Sequence, residues 1–190
     1  MVFRAVTDLL DPGIRRVVEA ASRKGVVLDI RLMPDSTRSA EEAAAAVDGE
    51  LGQFVKSLVF VAPRPEGRLV PVVCLVSGRN QVDLSLLAAA TGEVAIRGAT
   101  AREARDLTGY SIGGIPPFGH GRDVPILMDQ DLCKYQWVWA AAGTDSAVFR
   151  VAPQTLRMLS NALVVPLAPA SWMRTAAATI IQVRLGFKAG

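Results

Sequence analysis

The chain has 190 residues, 51% hydrophobic and 21% charged, with two cysteines and a formal net charge of +3. That is enough apolar side chain for one good core, so a disordered chain is excluded and a single folding unit is expected. Val164 to Gly190 takes three of the 21 cations (Arg174, Arg184 and Lys188) and no acid, leaving 18 against 18 before it; this excludes a dedicated nucleic-acid wrapper and confines any nucleic-acid contact to a local site.

Asp11 and Pro12 read as an N-cap and a first-turn proline, followed by an apolar stripe at Ile14, Val17, Val18 and Ala21 that Gly25 stops. Val26 to Leu32 is predicted as a strand, and Ser39 to Glu42 as a capping box opening an alanine-rich helix through Val47. Gln53 to Ala62 is a strong strand, turned by Pro63 to Gly67 into its partner Val70 to Val76. Past Ser77-Gly78-Arg79-Asn80, Leu84 to Ala90 is helical and Glu93 to Arg97 a short strand. Thr100 and Glu103 make a second capping box, whose helix ends at Gly109. Pro125 to Met128, Tyr135 to Ala140 and Ala147 to Val151 follow as strands, and Pro153 to Leu163 as a helix with Leu156, Leu159 and Leu163 inward. This mixture with short hairpins predicts an α+β class, a single mixed-sheet domain with surrounding helices.

Cys74 and Cys133 follow no metal or redox spacing, and one histidine completes no usual zinc site with them. Both are expected to be small buried residues, and no metal or cofactor is expected. Arg4, Asp8 and Asp11 interrupt the N-terminal region, and proline or arginine interrupts the longer apolar runs. A cytoplasmic protein with no membrane partner is expected.

Two features carry chemistry. The first is Gly109 to Gly121, thirteen residues with five glycines and two prolines. Glycine admits close approach by a ligand while proline fixes φ, so such a loop presents main chain and is expected to line a pocket, beyond what a tight turn needs. The second is Lys56, which alternation places on the apolar face of Phe54, Leu58 and Phe60. An ammonium there needs a partner or a cavity; the plain alternative is an edge-strand lysine snorkelling to solvent. Ser57 falls on the opposite face, so a Ser-Lys nucleophilic pair is not expected. His120 is a candidate general base or a loop histidine capping carbonyls, with the second favoured. Asp129 and Asp131 either orient a pocket group or make a turn, and Tyr110 either stacks on adenine or packs.

Gln53 to Phe60, the strand ending Val76-Ser77-Gly78, and Leu107-Thr108-Gly109-Tyr110 through Pro116-Pro117-Phe118-Gly119 resemble the YbaK and prolyl-tRNA-synthetase-associated editing domains. Ile126 to Asp129 and Val138 to Gly143 are similar to that family's closing strands, and the likeness covers roughly residues 10 to 165. It implies a trans-acting deacylase that hydrolyses the ester of a mischarged tRNA, with the aminoacylated 3′ end as partner. Lys56, Gly113 and Gly114 would be the catalytic centre: Lys56 would hold the tRNA 3′ end, and the loop's main chain could stabilise an oxyanion. Tyr110, Ile115, Pro116, Pro117, Phe118, Gly119 and His120 would form the substrate pocket. Some relatives carry asparagine where Ser57 follows the lysine, which leaves substrate preference open. A catalytically silent module of the same fold, recognising an aminoacyl-tRNA end, a nucleotide or a protein, is the alternative. Residues 1–165 would form the editing domain. Residues 166–190 would be an extension packed on it, a homodimer contact or a basic grip on tRNA.

Overall fold

The computed structural model describes residues 11–34, 42, 44, 47 and 49–169. The capping box expected at Ser39 and most of the C-terminal extension lie outside these residues. Helix α1 (Pro12–Ser22) opens where Asp11 Oδ1 accepts from the Gly13 N–H at 2.6 Å. It closes at Gly25, whose φ is +75°, with the Val26 N–H donating to Ala21 O at 3.0 Å. That bond takes up the Val26 N–H, and of the predicted strand only β1 (Ile30–Leu32) is paired.

A 3₁₀ turn (Leu51–Gln53) leads into β2 (Val55–Pro63), which pairs antiparallel with β3 (Leu69–Ser77) from Val55 opposite Ser77 to Pro63 opposite Leu69. Their valine-rich composition suits a pleated, buried surface. Helix α2 (Leu84–Thr91) is capped by the Asp83 side chain, and α3 (Ala101–Thr108) by the Thr100–Glu103 box, ending at Gly109 as expected. The Arg97 guanidinium beside Glu103 holds that carboxyl down to about 2. Between these helices the extended pairing is only β4 (Arg97–Gly98), because just Phe60 and Val61 of β2 are partnered there.

The chain continues through β5 (Ile126–Asp129), a 3₁₀ turn (Gln130–Lys134), β6 (Val138–Ala141), β7 (Ala147–Val151), α4 (Pro153–Ser160) and β8 (Leu163–Val165). The 3₁₀ turn, closed by Tyr135 N–H on Leu132 O, delays β6 beyond its expected start. Helix α4 stops early because Asn161 takes φ +52°. Leu163, expected inward, is exposed and pairs with Leu127 in a strand the sequence pattern did not show.

Five strands form a mixed sheet in the order β4-β2-β3-β5-β8, and three form an antiparallel sheet in the order β1-β7-β6. A parallel bridge between Phe54 and Trp139 joins them. The result is an α+β fold. Val55, Val59, Val73 and Met128 share the main core with Ile14 and Val17 of α1, Leu156 of α4 and Phe149 of β7. Leu58 and Phe60 pack on the other face of the large sheet with Val72, Cys74, Val76, Leu87 and Leu167. Cys74 is buried as expected, and burial pushes its thiol up to about 12; Cys133 is instead exposed, because its 3₁₀ turn lies at the surface. Among the described residues no helix is long and apolar enough to cross a membrane, and no group of three or more His, Cys, Asp and Glu could hold a metal ion.

Candidate functional site

Lys56 lies opposite Val76 on β3, and the next same-face pairs are Leu58 with Cys74 and Phe60 with Val72. Its side chain is half-buried and its ammonium donates to Asn80 O at 2.6 Å. The lysine is therefore held, as a charge on an apolar face must be. Asn80, 3% exposed, donates from its side-chain amide to Asp129 Oδ2 at 2.7 Å and Asp131 Oδ2 at 2.9 Å. Asp129, 1% exposed at the end of β5, also accepts from Leu167 N–H at 3.2 Å, and Asp131 accepts from the Lys134 ammonium. Both carboxylates accept from Asn80, and both also belong to the turn between strands, Asp129 directly before the Gln130–Lys134 3₁₀ turn and Asp131 within it. On the opposite face of β2, Ser57 Oγ is buried and has no hydrogen-bond partner among the described residues.

The 109–121 loop is braced by its own atoms. Tyr110 donates its hydroxyl to Gly119 O at 2.8 Å, and burial pushes its phenol up, keeping that proton in place. His120 Nε2 lies 2.8 Å from Pro116 O; a carbonyl only accepts, so this nitrogen carries a proton. Burial pulls the imidazole below its ordinary value, partly opposed by that same bond. His120 thus has the carbonyl-capping geometry. Tyr110 is a packed tyrosine, with the His120 ring edge-on and the Arg16 guanidinium 4.4 Å from its ring centre. Arg16 also donates to Gly109 O at 3.0 Å, fastening the loop's start to α1.

Ile115 and Phe118 are buried in the main core, Phe118 with its ring 5.6 Å from that of Phe149, and Pro116 and Pro117 are buried beside them. Their side chains anchor the loop, and Gly113, with φ +93°, is exposed. Gly114 packs on the β6–β7 connection: a Cβ there would fall 2.7 Å from Thr144 Cα and C. The same connection relates the loop to β2. Phe54 is bridged in parallel to Trp139, and two residues further along each chain stand Lys56 and Ala141, the last residue of β6 before this connection.

Not every candidate converges. The hydrogen bonds described for Lys56 run to the group around Asn80, whereas those described for Tyr110, Pro116, Gly119 and His120 run within the loop. A cavity of about 700 Å³ borders the loop at Phe118, Gly119 and His120 and continues to Arg23, Lys24 and Arg122, without Lys56 among its walls. Lys24 there caps the end of α4, donating to Met158 O at 2.9 Å and Leu159 O at 3.0 Å.

The aminoacyl-tRNA editing domain profile matches residues 34–159, more than half of the chain. The protein belongs to the aminoacyl-tRNA editing domain family. A candidate Cys-tRNA(Pro)/Cys-tRNA(Cys) deacylase of Enterococcus faecalis is 28% identical over 123 residues, covering 65% of this chain and 73% of that protein. A proline–tRNA ligase of Limosilactobacillus fermentum is 33% identical over 92 residues, 48% of this chain but only 16% of the ligase. The crystal structure of a candidate trans-editing enzyme for prolyl-tRNA synthetase superposes with a TM-score of 0.77 at 44% identity, covering 85% of this chain and 99% of that one.

Within this editing domain, sequence reasoning passed over Asn80, naming it only in the stretch between a strand and a helix. The available signal was a polar residue three positions past a strongly apolar strand, where its neighbours could come from elsewhere in the fold. Ser57, set aside as a partner for Lys56, gains interest from its orphan hydroxyl instead.

Proposed function

We propose that this editing domain is a trans-acting aminoacyl-tRNA deacylase, hydrolysing the ester between a wrongly attached amino acid and the terminal adenosine of tRNA. The observation that carries the reading is Lys56. In a chain of the editing-domain family, an ammonium sits half-buried and fixed at 2.6 Å from a carbonyl. Its strand is bridged to β6, and the Gly113–Gly114 main chain packs on the connection beyond β6.

Lys56 would hold the tRNA 3′ end as a compact charge, through a phosphate or a ribose hydroxyl. The main-chain N–H of Gly113, held in place by Gly114, whose own N–H donates to Ser111 O at 3.1 Å, would receive the oxyanion that forms when water attacks the ester carbonyl. Collapse of that intermediate breaks the carbonyl–ribose oxygen bond, the ribose oxygen takes up a proton, and free amino acid leaves. Tyr110, Gly119 and His120 brace the loop; Ile115, Pro116, Pro117 and Phe118 shape the pocket from behind through their main chain. A near-neutral body suits recognition confined to the aminoacylated end. The name of the Enterococcus faecalis relative points first to cysteinyl-tRNAPro and cysteinyl-tRNACys as substrates, and the place of action would be the cytoplasm.

The test is release of labelled amino acid from a panel of mischarged tRNAs that includes these two. The native protein should hydrolyse at least one of them, and Lys56→Ala should slow it by about a hundredfold or more while the circular dichroism spectrum stays native. Full activity in Lys56→Ala would defeat the role given to the lysine. Binding of the charged tRNA without hydrolysis by the native protein would make the domain a silent recognition module.

A further inference from the structure

The group beneath Lys56 is assembled from four places: β2 gives Lys56, the turn after β3 gives Asn80, the end of β5 gives Asp129, and the following 3₁₀ turn gives Asp131. A lysine stem is flexible and its ammonium has three donors without fixed direction, so its place is set by whatever accepts from it. Here one such acceptor is a main-chain carbonyl, Asn80 O, at 2.6 Å. That carbonyl is itself immobilised. The Asn80 N–H donates to Ser77 O at 2.8 Å, closing the turn, and its amide nitrogen is gripped by two carboxylates at 2.7 and 2.9 Å. Both amide bonds are charge-assisted and Asn80 is buried, which makes them stronger than neutral bonds at the surface.

We propose that Asn80 is a positioning residue for Lys56: clamped by Asp129 and Asp131, it fixes the carbonyl that sets where the ammonium stands. Asn80 touches no reacting atom in this account and acts through the lysine. The catalytic consequence rests on the role proposed above for Lys56, whereas the structural one does not.

Two measurements separate these. In the first, the full-length protein is treated with formaldehyde and a borohydride reductant, and methylation of Lys56 is followed by mass spectrometry. Lys56 should react slowly in the native protein and severalfold faster in Asn80→Ala, with the milder Asp131→Asn in between; equal rates in all three would overturn the proposal. In the second, deacylation of cysteinyl-tRNAPro is compared among the native protein, Asn80→Ala, Lys56→Arg and the double variant. Asn80→Ala should lose about ten- to a hundredfold in kcat/KM, the cost of a misplaced group, and should add little once Lys56 is already replaced. Losses that multiply in the double variant would show that Asn80 acts on the fold independently of Lys56, and would overturn it. If the native protein deacylates none of the panel, the proposed activity fails while the methylation result still decides the positioning.

Discussion

The 109–121 loop and the group around Lys56 are held by opposite means. In the loop, residues four to nine positions apart brace one another, as His120 does Pro116 and Tyr110 does Gly119. Around Lys56, the bonds join residues 24, 49 and 51 positions apart. The loop's internal bonding is thus local, while Arg16, Phe149 and Thr144 anchor it to the rest of the fold. The lysine's place exists only once β2, β3 and β5 have assembled.

The largest effect that would sharpen this contrast is expected from Gly114→Ala. Its Cβ would meet Thr144 backbone at 2.7 Å, and backbone cannot swing aside as a side-chain tip can. Overpacking of this kind costs about 1–3 kcal/mol, measurable by urea denaturation, and deacylation should fall with it. If the slow methylation of Lys56 persists in this variant, the two regions are separate structural units; fast methylation would break the comparison.

A smaller effect is expected from pH. The folded-state value of His120 is depressed by burial, so its neutral form contributes stability that is present above the ordinary value near 6.5 and is lost as pH falls. The melting temperature should drop between pH 7 and pH 5. The drop should be smaller in His120→Gln, which keeps a donor for Pro116 O but cannot take up charge. An identical drop in both proteins would show that the loop does not feel this imidazole.

The smallest effect on stability belongs to Ser57→Ala. Its hydroxyl has no partner among the described residues to lose, so the change in unfolding free energy should stay within about 0.5 kcal/mol or be slightly favourable. A fall in deacylation at unchanged stability would assign the hydroxyl to substrate; a large loss of stability would show that it has a role in the fold.

Local rules carried far in this chain. Asp11, Asp83 and the Thr100–Glu103 box start the helices they were suited to start, and Gly109 ends α3 in the left-handed region. The β2–β3 hairpin follows its alternation to within a residue or two, because period and turn chemistry are written in neighbouring residues. The misreadings occur where a distant partner decides. Leu163 looks like the last turn of an amphipathic helix, but β5 offers it an edge and Asn161 ends the helix first. Cys133 is apolar enough to bury, but its short turn lies at the surface.

The sequence by itself determined the α+β class, most of the helix starts, the restrained glycine–proline loop and the presence of a lysine on an apolar strand face, all consequences of torsional preference and side-chain periodicity. Only the tertiary structure decided what that lysine meets. Asn80, Asp129 and Asp131 are ordinary polar residues in their own segments, and they become a clamp because burial forces each to find partners that the folded sheet alone brings within hydrogen-bond reach.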